Sequence, residues 1–337
     1  MVTPPEVRTA AGRNITIDTV QDAGQHIYRA AVRTPLIRLD VPGVTRLAAG
    51  DDRPLEIYLK LETLQPIGSF KIRGAYNAVR QLTGAQLRQG VWTVSAGNAA
   101  QGVALAARLS GAECAVMVIE TAPETKIRAI EALGANIVRA SYDEAWETIQ
   151  AGRSSRMQGV FVHPFDDDHF ISGNGTIGLE ILEDLPDVDA IVAPLGGGGL
   201  LSGIACVIRA LRPQARVFAA EPATAAPLWH SLSKGAPEYF PDWQATFVDG
   251  AGGKSVLPTM WPLLSEWLTG SLVVTLEEVS NAIKSVAERV HVIAEGAAGC
   301  AAAAAITGKA GGGKVVAVLS GGNIDLSRFA AITGACP

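Results

Sequence analysis

The sequence predicts an α/β protein in which two parallel-sheet lobes are covered by helices. Short β-branched segments alternate along the 337 residues with segments of helical periodicity, a pattern typical of parallel sheets whose strands are joined by crossover helices. Several strand segments, among them residues 190–195, are apolar throughout, as expected of strands that helices cover on both faces. About eight or nine strands are many for one sheet, so we expect two lobes.

The elements follow one another in a regular order. The predicted strands are residues 57–62, 91–95, 114–119, 136–139, 159–163, 190–195, 216–221 and 314–320. The predicted helices are residues 71–82, 99–110, 125–133, 143–153, 170–182, 200–211, 276–290 and 297–307. Residues 91–167 contain β-α repeats in close succession, and we expect them to form a small inserted α/β domain. Residues 1–90 and 168–337 then form a large domain.

The composition excludes several classes of protein. Hydrophobic residues make up 48% of the chain and charged residues 18%, which indicates a packed protein and not a disordered one. Lys and Arg number 28 against 33 Asp and Glu, so the formal net charge is −5. Because the chain is mildly acidic and has no basic block, we expect no binding to nucleic acid or to an anionic membrane surface.

Targeting signals and cysteine usage indicate a cytoplasmic protein. No segment supplies the roughly 18–20 uncharged apolar residues of a membrane span, and the alanine-rich stretch Ala297–Ile306 is predicted to be a buried helix. The first residues, MVTPPEVRTAAGRN, lack the basic and apolar pattern of a signal peptide. We expect all the cysteines to be free thiols; they are Cys114, Cys206, Cys300 and Cys336.

A run of four glycines follows the strand at 190–195 and precedes a helix. Successive glycines let backbone N–H groups point one way, and a helix N-terminus adds positive potential, so Gly196, Gly197, Gly198 and Gly199 predict a phosphate cradle. A tight strand–helix turn is the alternative, but one or two glycines would suffice for it. The G-x-G-x-x-G frame fails at Leu201 or Ser202, and the Walker frame before Lys254 has Val248 in place of glycine. The phosphate therefore belongs to a ligand other than NAD or ATP.

Lys71 lies in the first turn of a predicted helix, within the segment Gly68–Gly74. The helix dipole is unfavourable for a cation there and lowers the lysine pKa, which suits an amine that must be neutral to attack a carbonyl. A solvated surface lysine is the alternative. The neighbouring Phe70 and Gly74 favour a partly buried site.

Two more strand ends carry candidate site residues. Ser95, Ala96, Gly97, Asn98 and Ala99 form a turn of small residues entering a helix, which exposes backbone N–H groups suited to a carboxylate. Ser320 follows the last strand, at the edge where ligands of parallel sheets bind. Taken alone, these segments also fit an ordinary helix cap and a plain turn.

Two other types of site are not supported. The polar segment from His163 to His169 contains three aspartates, but it lacks the helical histidine pair or cysteine partners of a metal site, and a solvated loop is preferred. No G-x-S-x-G elbow is present, so the chain is not expected to be a serine hydrolase.

An activated lysine, a phosphate cradle, a carboxylate-binding turn and a strand-end hydroxyl together indicate pyridoxal 5'-phosphate bound as a Schiff base. The sequence also resembles the fold-type II pyridoxal-phosphate enzymes of the serine/threonine dehydratase and serine racemase group. The motifs that carry this resemblance, in order, are TPL (34–36), SFKIRGA (69–75), SAGN (95–98), GTIGLEI (175–181), GGGGL (196–200), EP (221–222) and SGGN (320–323). They extend over nearly the whole chain.

The resemblance implies a tryptophan synthase β-like fold and a role for each site residue. Lys71 would carry the cofactor and act as base on the substrate Cα; it is the predicted catalytic residue. The other implied cofactor contacts are Gly196–Gly199 at the phosphate, Ser320 at the pyridine nitrogen, Asn98 at the ring hydroxyl oxygen, Phe70 and Gly250 on the two ring faces, and Glu295 near the active site. The turn from Ser95 to Ala99 would hold the substrate carboxylate.

The implied activity is removal of water from a β-hydroxy-α-amino acid, which yields a 2-oxoacid and ammonia. The substrate would be a small amino acid resembling threonine or serine, or a bulkier arylserine such as phenylserine. The resemblance also implies a homodimer. The alternatives are an amino-acid racemase of the same family and, in another class, a cofactor-less binding protein, which the intact Lys71 argues against.

The chain departs from the family pattern at four positions. Ala99 replaces the usual histidine and Ile67 the usual threonine, which predicts a more apolar pocket wall and a bulky or apolar β-substituent. Asn174 replaces a common glutamine. Pro227 stands six residues after Glu221, where the family's divalent-metal site has an acid, so we expect no metal. The racemase alternative is weakened because Ala96 stands where family racemases have a second proton carrier, a serine.

Overall fold

The computed structural model describes residues 12–41 and 53–334, and these form two sheets with helices around them. The strands are β1 (Leu36–Leu39), β2 (Leu55–Lys60), β3 (Val91–Val94), β4 (Cys114–Ile119), β5 (Ala135–Ala140), β6 (Val160–Phe161), β7 (Ala190–Pro194), β8 (Arg216–Pro222), β9 (Gly270–Val274) and β10 (Gly313–Val318). One sheet has the order β1-β2-β10-β7-β8-β9 and the other has the order β5-β4-β3-β6. The predicted α/β architecture with helices around two sheets is confirmed, and every strand pair except that of β1 with β2 is parallel.

The helices are α1 (Ile17–His26), α2 (Lys71–Arg80), α3 (Gly84–Arg88), α4 (Asn98–Leu109), α5 (Glu124–Glu131), α6 (Tyr142–Ala151), α7 (Asp168–Asp184), α8 (Gly199–Leu211), α9 (Pro227–Lys234), α10 (Trp261–Trp267), α11 (Leu276–Val290), α12 (Gly296–Ile306) and α13 (Leu326–Thr333). All eight helices and all eight strands predicted from the sequence are present, with ends that differ by a few residues.

The middle of the six-stranded sheet is buried on both faces. Val315 of β10 pairs with Ile57 of β2 on one side and with Ala190 of β7 on the other. The helices α1, α7, α8 and α10 cover one face, and α11 and α12 cover the other. Helix α12 is the predicted buried alanine-rich helix: its small side chains let it pack closely against β7 and β10.

The sequence did not predict the edges of the six-stranded sheet. Strand β1 pairs with β2 in the antiparallel direction, so this sheet is not parallel throughout. Strand β9 at the other edge is mostly half-buried and contains Gly270 and Ser271. Short, partly exposed edge strands lack the continuous apolar run by which the inner strands were recognised.

Helix α2 lies where the two sheets meet. It packs against α4, which covers the four-stranded sheet, and against α7, which covers the six-stranded one. Its first residue, Lys71, therefore lies between the two sheets. The assignment of residues 91–167 to a separate inserted domain stays a prediction.

Among the described residues, no helix is both long and apolar enough to cross a membrane. Three of the predicted free thiols, Cys114, Cys206 and Cys300, are buried and unpaired. Cys336 lies outside the described residues.

Candidate active site

All fourteen site residues predicted from the sequence line one cavity of about 540 Å³. They are Phe70, Lys71, Ser95, Ala96, Gly97, Asn98, Ala99, Gly196, Gly197, Gly198, Gly199, Gly250, Glu295 and Ser320. The segments at 95–99, 196–199 and 320 follow the carboxyl ends of β3, β7 and β10, which is where parallel sheets bind ligands, whereas Gly250 and Glu295 lie between helices. The folded chain thus brings together segments that are far apart in the sequence.

The glycine turn joins β7 to the N-terminus of α8. Gly198 precedes the helix with a φ of 94°, which favours glycine. A side chain at Gly197 would collide with the ring of Phe165, so the turn also requires glycine for packing. The first N–H groups of α8 have no partner within the helix and are available to an anion.

Lys71 is the first residue of α2 and reaches into the cavity. Its Nζ donates a 2.6 Å hydrogen bond to the carbonyl oxygen of Pro164 and lies 5.3 Å from the ring centroids of Phe70 and Phe170. Part of the side chain faces the cavity while its ammonium lies well below the protein surface, and this burial lowers the Lys71 pKa to about 8. The sequence analysis attributed a lowered Lys71 pKa to the helix dipole, whereas the structure attributes it to burial. The alternative of a solvated surface lysine is wrong.

The lysine segment is tied to the turn that carries Ser320. Ser69 and Gly321 form an antiparallel β-bridge, and the Phe70 N–H donates to the Ser320 carbonyl oxygen at 3.0 Å. Ser320 is 2% exposed and lines the cavity. A hydroxyl group at the wall of a cavity is suited to bind a polar group of a ligand.

Asn98 is held by two neighbours. Its Nδ2 donates to Glu295 Oε1 at 2.8 Å, and its Oδ1 accepts from Asn323 Nδ2 at 2.7 Å. Burial, with a further contribution from the charge of Asp249, raises the Glu295 pKa to about 7. The sequence analysis placed Asn323 in the SGGN motif but gave it no role; the structure shows that it orients Asn98.

The turn at 95–99 ends β3 and begins α4. The Ser95 hydroxyl oxygen accepts from the Gly97 N–H at 3.1 Å, and Gly97 directly precedes the helix. The unpaired N–H groups of the first turn of α4 can therefore bind a carboxylate. Ala99 lines the cavity, whereas Ile67 is buried in the core and is not among the cavity-lining residues. Ile67 does not form the apolar wall that the sequence assigned to it.

The segment 163–169 is structural and is not a solvated loop. His163 Nδ1 accepts N–H bonds from Phe165 and Asp166, and burial lowers the His163 pKa to about 4, so the ring is neutral. Asp167 caps α7, while Asp166 and Asp168 pair with Arg13. This turn supplies the Pro164 carbonyl to Lys71 and the Phe165 ring to the glycine turn, contributions that only the folded structure reveals.

The Glu221 carboxylate binds the first turn of α9. It accepts N–H bonds from Leu228 and Trp229 at 2.9 and 2.8 Å and a bond from the Ser271 hydroxyl. Pro227, which replaces the family's acid, is the first residue of that helix. No three His, Cys, Asp or Glu side chains converge as a metal site in the part of the chain that the structure describes.

These residues fit pyridoxal 5'-phosphate. The N–H groups at 196–199 and α8 suit its phosphate, the amine of Lys71 suits its aldehyde, and the Ser320 hydroxyl suits its ring nitrogen. The fold and the site are thus those of an α/β protein whose cavity suits a phosphorylated carbonyl cofactor.

Comparisons with known proteins assign the family. Residues 27–321 match the family described as "Pyridoxal-phosphate dependent enzyme", and the chain belongs to it. It is 39% identical over 320 residues to the L-threonine ammonia-lyase of Thermotoga maritima, covering 94% of this chain and 77% of that protein. It is 39% identical over 282 residues to the serine racemase of Homo sapiens, covering 80% and 82%.

Comparison with solved structures supports the same family. The serine racemase of Dictyostelium discoideum superposes with a TM-score of 0.81 at 34% identity and covers 92% of this chain and 99% of that one. The recognised family is confirmed, and the cofactor is pyridoxal 5'-phosphate.

Proposed function

We propose that the protein is a pyridoxal-phosphate-dependent dehydratase that removes water from a β-hydroxy-α-amino acid and releases a 2-oxoacid and ammonia. The observation that carries the proposal is the buried amine of Lys71, with its lowered pKa, which shares one cavity with the carboxylate-binding turn. The relatives named L-threonine ammonia-lyase support the same reaction.

Each part of the site has a task in this reaction. The cofactor, when bound, withdraws electrons from the substrate Cα. The N-terminus of α4 binds the α-carboxylate and so fixes the Cα near Lys71. Lys71, neutral above a pKa of about 8, takes the Cα proton. The Pro164 carbonyl orients the amine, and the neutral His163 holds the turn that carries this carbonyl.

The atoms balance over the whole reaction. The Cα proton and the β-hydroxide leave as water, and the enamine that is released takes up one water and loses ammonia. The net change is one amino acid to one 2-oxoacid and one ammonia. Ser320 would hold the ring nitrogen of the cofactor, and because it is uncharged it would stabilise a protonated ring less than a carboxylate, which would favour prompt loss of the β-group over transamination.

A racemase is the second candidate, supported by relatives named serine racemase. Racemisation needs a proton donor on the face of Cα opposite Lys71, and Ala96 occupies the position where a hydroxyl would serve. We therefore place elimination first. Chiral analysis that finds D-amino acid forming faster than 2-oxoacid would reverse the order.

The test is a panel of β-hydroxy amino acids assayed for 2-oxoacid and ammonia. We expect the two products in equal amounts from at least one substrate and none from protein carrying Lys71→Ala. A protein that binds the cofactor and yields neither product would contradict the proposal.

We further propose that the protein is a cytoplasmic homodimer and that residues 91–167 form a separate domain. Light scattering coupled to size-exclusion chromatography measures the first, with twice the chain mass expected. Limited proteolysis measures the second, since cleavage is expected near the proposed domain boundaries.

A further inference from the structure

One wall of the cavity is apolar and comes from α6. Tyr142, Trp146 and Ile149 are spaced at i, i+4 and i+7, so they share one face of this helix, and all three line the cavity. The helix packs into the protein with a different face, on which Ala145 and Thr148 are buried. Ile149 also packs against the core cluster that contains Ala145, whereas Tyr142 and Trp146 belong to no core cluster of the described residues.

The side chains of this face are poorly covered. Tyr142 is 51% exposed, and Trp146 and Ile149 are half-buried. Apolar surface inside a cavity is in contact with water until a ligand group covers it, and covering it favours binding. The wall thus suits an apolar ligand group.

The wall stands beside the carboxylate-binding turn. Strands β3, β4 and β5 are adjacent and parallel, with Val94 paired to Met117 and Ile119 paired to Ala140. Their carboxyl ends therefore meet at one edge of the sheet, where β3 leads to the turn at Ser95 and β5 leads to α6. Ile119, at the end of β4, lines the cavity between them.

Charged groups near the wall already have partners. Lys126 pairs with Asp249, and the Nζ of Lys254 lies 4.8 Å from the ring centroid of Tyr142 and 4.6 Å from that of Trp243. The charge of Lys126 is thus balanced, Lys254 is held against two aromatic rings, and the charged residues of α6 itself, Asp143, Glu144 and Glu147, do not line the cavity.

We propose that Tyr142, Trp146 and Ile149 form the subsite for the β-substituent of the substrate, and that this substituent is an aromatic ring. The inference rests on the proposed dehydratase function and names its substrate class, the β-aryl-β-hydroxy-α-amino acids. With the α-carboxylate at α4 and the Cα at Lys71, the ring extends along α6 and stacks on Trp146. Phenylserine then yields phenylpyruvate and ammonia.

The kinetic test compares phenylserine with threonine. We expect kcat/KM for phenylserine to exceed that for threonine by about tenfold or more, since one methylene in an apolar pocket is already worth roughly 10–200-fold. Trp146→Ala should lower the phenylserine value by about tenfold and change the threonine value by less than about threefold. Trp146→Phe, which keeps a ring, should retain most of the preference.

The matched control is Trp229→Ala, because Trp229 is 51% exposed and does not line the cavity. This substitution should leave kcat/KM unchanged for both substrates. A second readout is calorimetric binding of L-phenylalanine and L-2-aminobutyrate, which have no β-hydroxyl to lose. Wild-type protein should bind L-phenylalanine about tenfold more tightly, and Trp146→Ala should remove that difference.

The outcomes separate the two proposals. Efficient 2-oxoacid release from threonine without a preference for phenylserine overturns the aromatic subsite and leaves the dehydratase intact. If Trp146→Ala lowers kcat/KM equally for phenylserine and threonine, the aromatic subsite is overturned as well. If no β-hydroxy amino acid of the panel gives a 2-oxoacid, the proposed function fails, and equal binding of L-phenylalanine and L-2-aminobutyrate then overturns the subsite independently.

Discussion

The backbone N–H of Phe70 donates a 3.0 Å hydrogen bond to the carbonyl oxygen of Ser320. This bond joins the segment that presents Lys71 to the turn that follows the last strand, although the two are distant in sequence. A second backbone bond, from the Gly322 N–H to the Gly68 carbonyl oxygen at 2.9 Å, fixes the same pairing. The backbone segments that carry Lys71 and Ser320 are consequently held together by the main chain, and side-chain substitutions in the cavity should leave this pairing unchanged.

The pH dependence of cofactor uptake follows from the Lys71 pKa. Burial lowers this pKa to about 8, so the neutral, nucleophilic amine predominates above that pH and not only above its ordinary value of 10.5. The rate at which cofactor-free protein reacts with added pyridoxal 5'-phosphate should therefore rise with a midpoint near pH 8. Stopped-flow absorbance measures this rate. A midpoint near the ordinary value would contradict the burial of the amine.

Asn323 should affect cofactor affinity through Asn98. Asn323→Ala removes the bonds that Nδ2 donates to Asn98 Oδ1 and to the Ile67 carbonyl oxygen, so Asn98 is no longer held in one orientation. A neutral hydrogen bond contributes about 1 kcal/mol, and we expect the Kd for pyridoxal 5'-phosphate to rise roughly fivefold. Asn136→Ala, at an exposed position of β5, is the control. The same Kd in both variants would refute the role of Asn323.

Arg73 stabilises the fold around the lysine helix. It is fully buried and pairs with Glu62 at 2.8 Å and with Glu180 at 2.6 Å. Arg73→Met leaves the buried carboxylates of Glu62 and Glu180 without their guanidinium partner. Because breaking a buried ion pair costs about 3–5 kcal/mol, we expect the free energy of unfolding to fall by that amount. Urea denaturation measures it.

Arg38→Met is the matched comparison for Arg73. Arg38 pairs with Asp40 and Glu56, but its side chain is 55% exposed, and the loss should stay below about 1 kcal/mol. Equal losses of unfolding free energy in Arg73→Met and Arg38→Met would show that burial does not strengthen the ion pairs of Arg73.

Removal of divalent metal should have no effect on activity. The Glu221 carboxylate is already bonded to two N–H groups of α9 and to Ser271, and Pro227 supplies no ligand. Dialysis against EDTA should leave kcat/KM unchanged, and added Mg²⁺ or Ca²⁺ should not raise it. An activity that falls with EDTA and returns with Mg²⁺ would contradict this interpretation of Glu221.

The sequence predicted the inner strands and their helices because their patterns are local. Apolar runs such as residues 190–195 and the helical period of 276–290 can be recognised without knowledge of the fold. The edge strands β1 and β9 could not be found in this way, because partly exposed strands lack a continuous apolar run. The antiparallel direction of β1 depends on tertiary packing, which a local pattern does not contain.

In the candidate site, too, local motifs could be predicted from the sequence and tertiary contacts could not. The glycine turn and Lys71 were visible as motifs, whereas the partners that hold them were not. Pro164 reaches Lys71 through a turn that a buried, neutral His163 organises. Trp146 lies on a helix that the sequence did predict, but its place in the cavity wall depends on the adjacency of β3, β4 and β5.

We expect Lys71 to be the residue to which the cofactor is joined. Protein supplied with pyridoxal 5'-phosphate is reduced with borohydride, digested, and mapped by mass spectrometry. We expect the pyridoxyl group on the peptide that contains Lys71, and no stoichiometric label in Lys71→Ala. A stoichiometric label on another lysine, or none on wild-type protein, would show that Lys71 does not carry the cofactor.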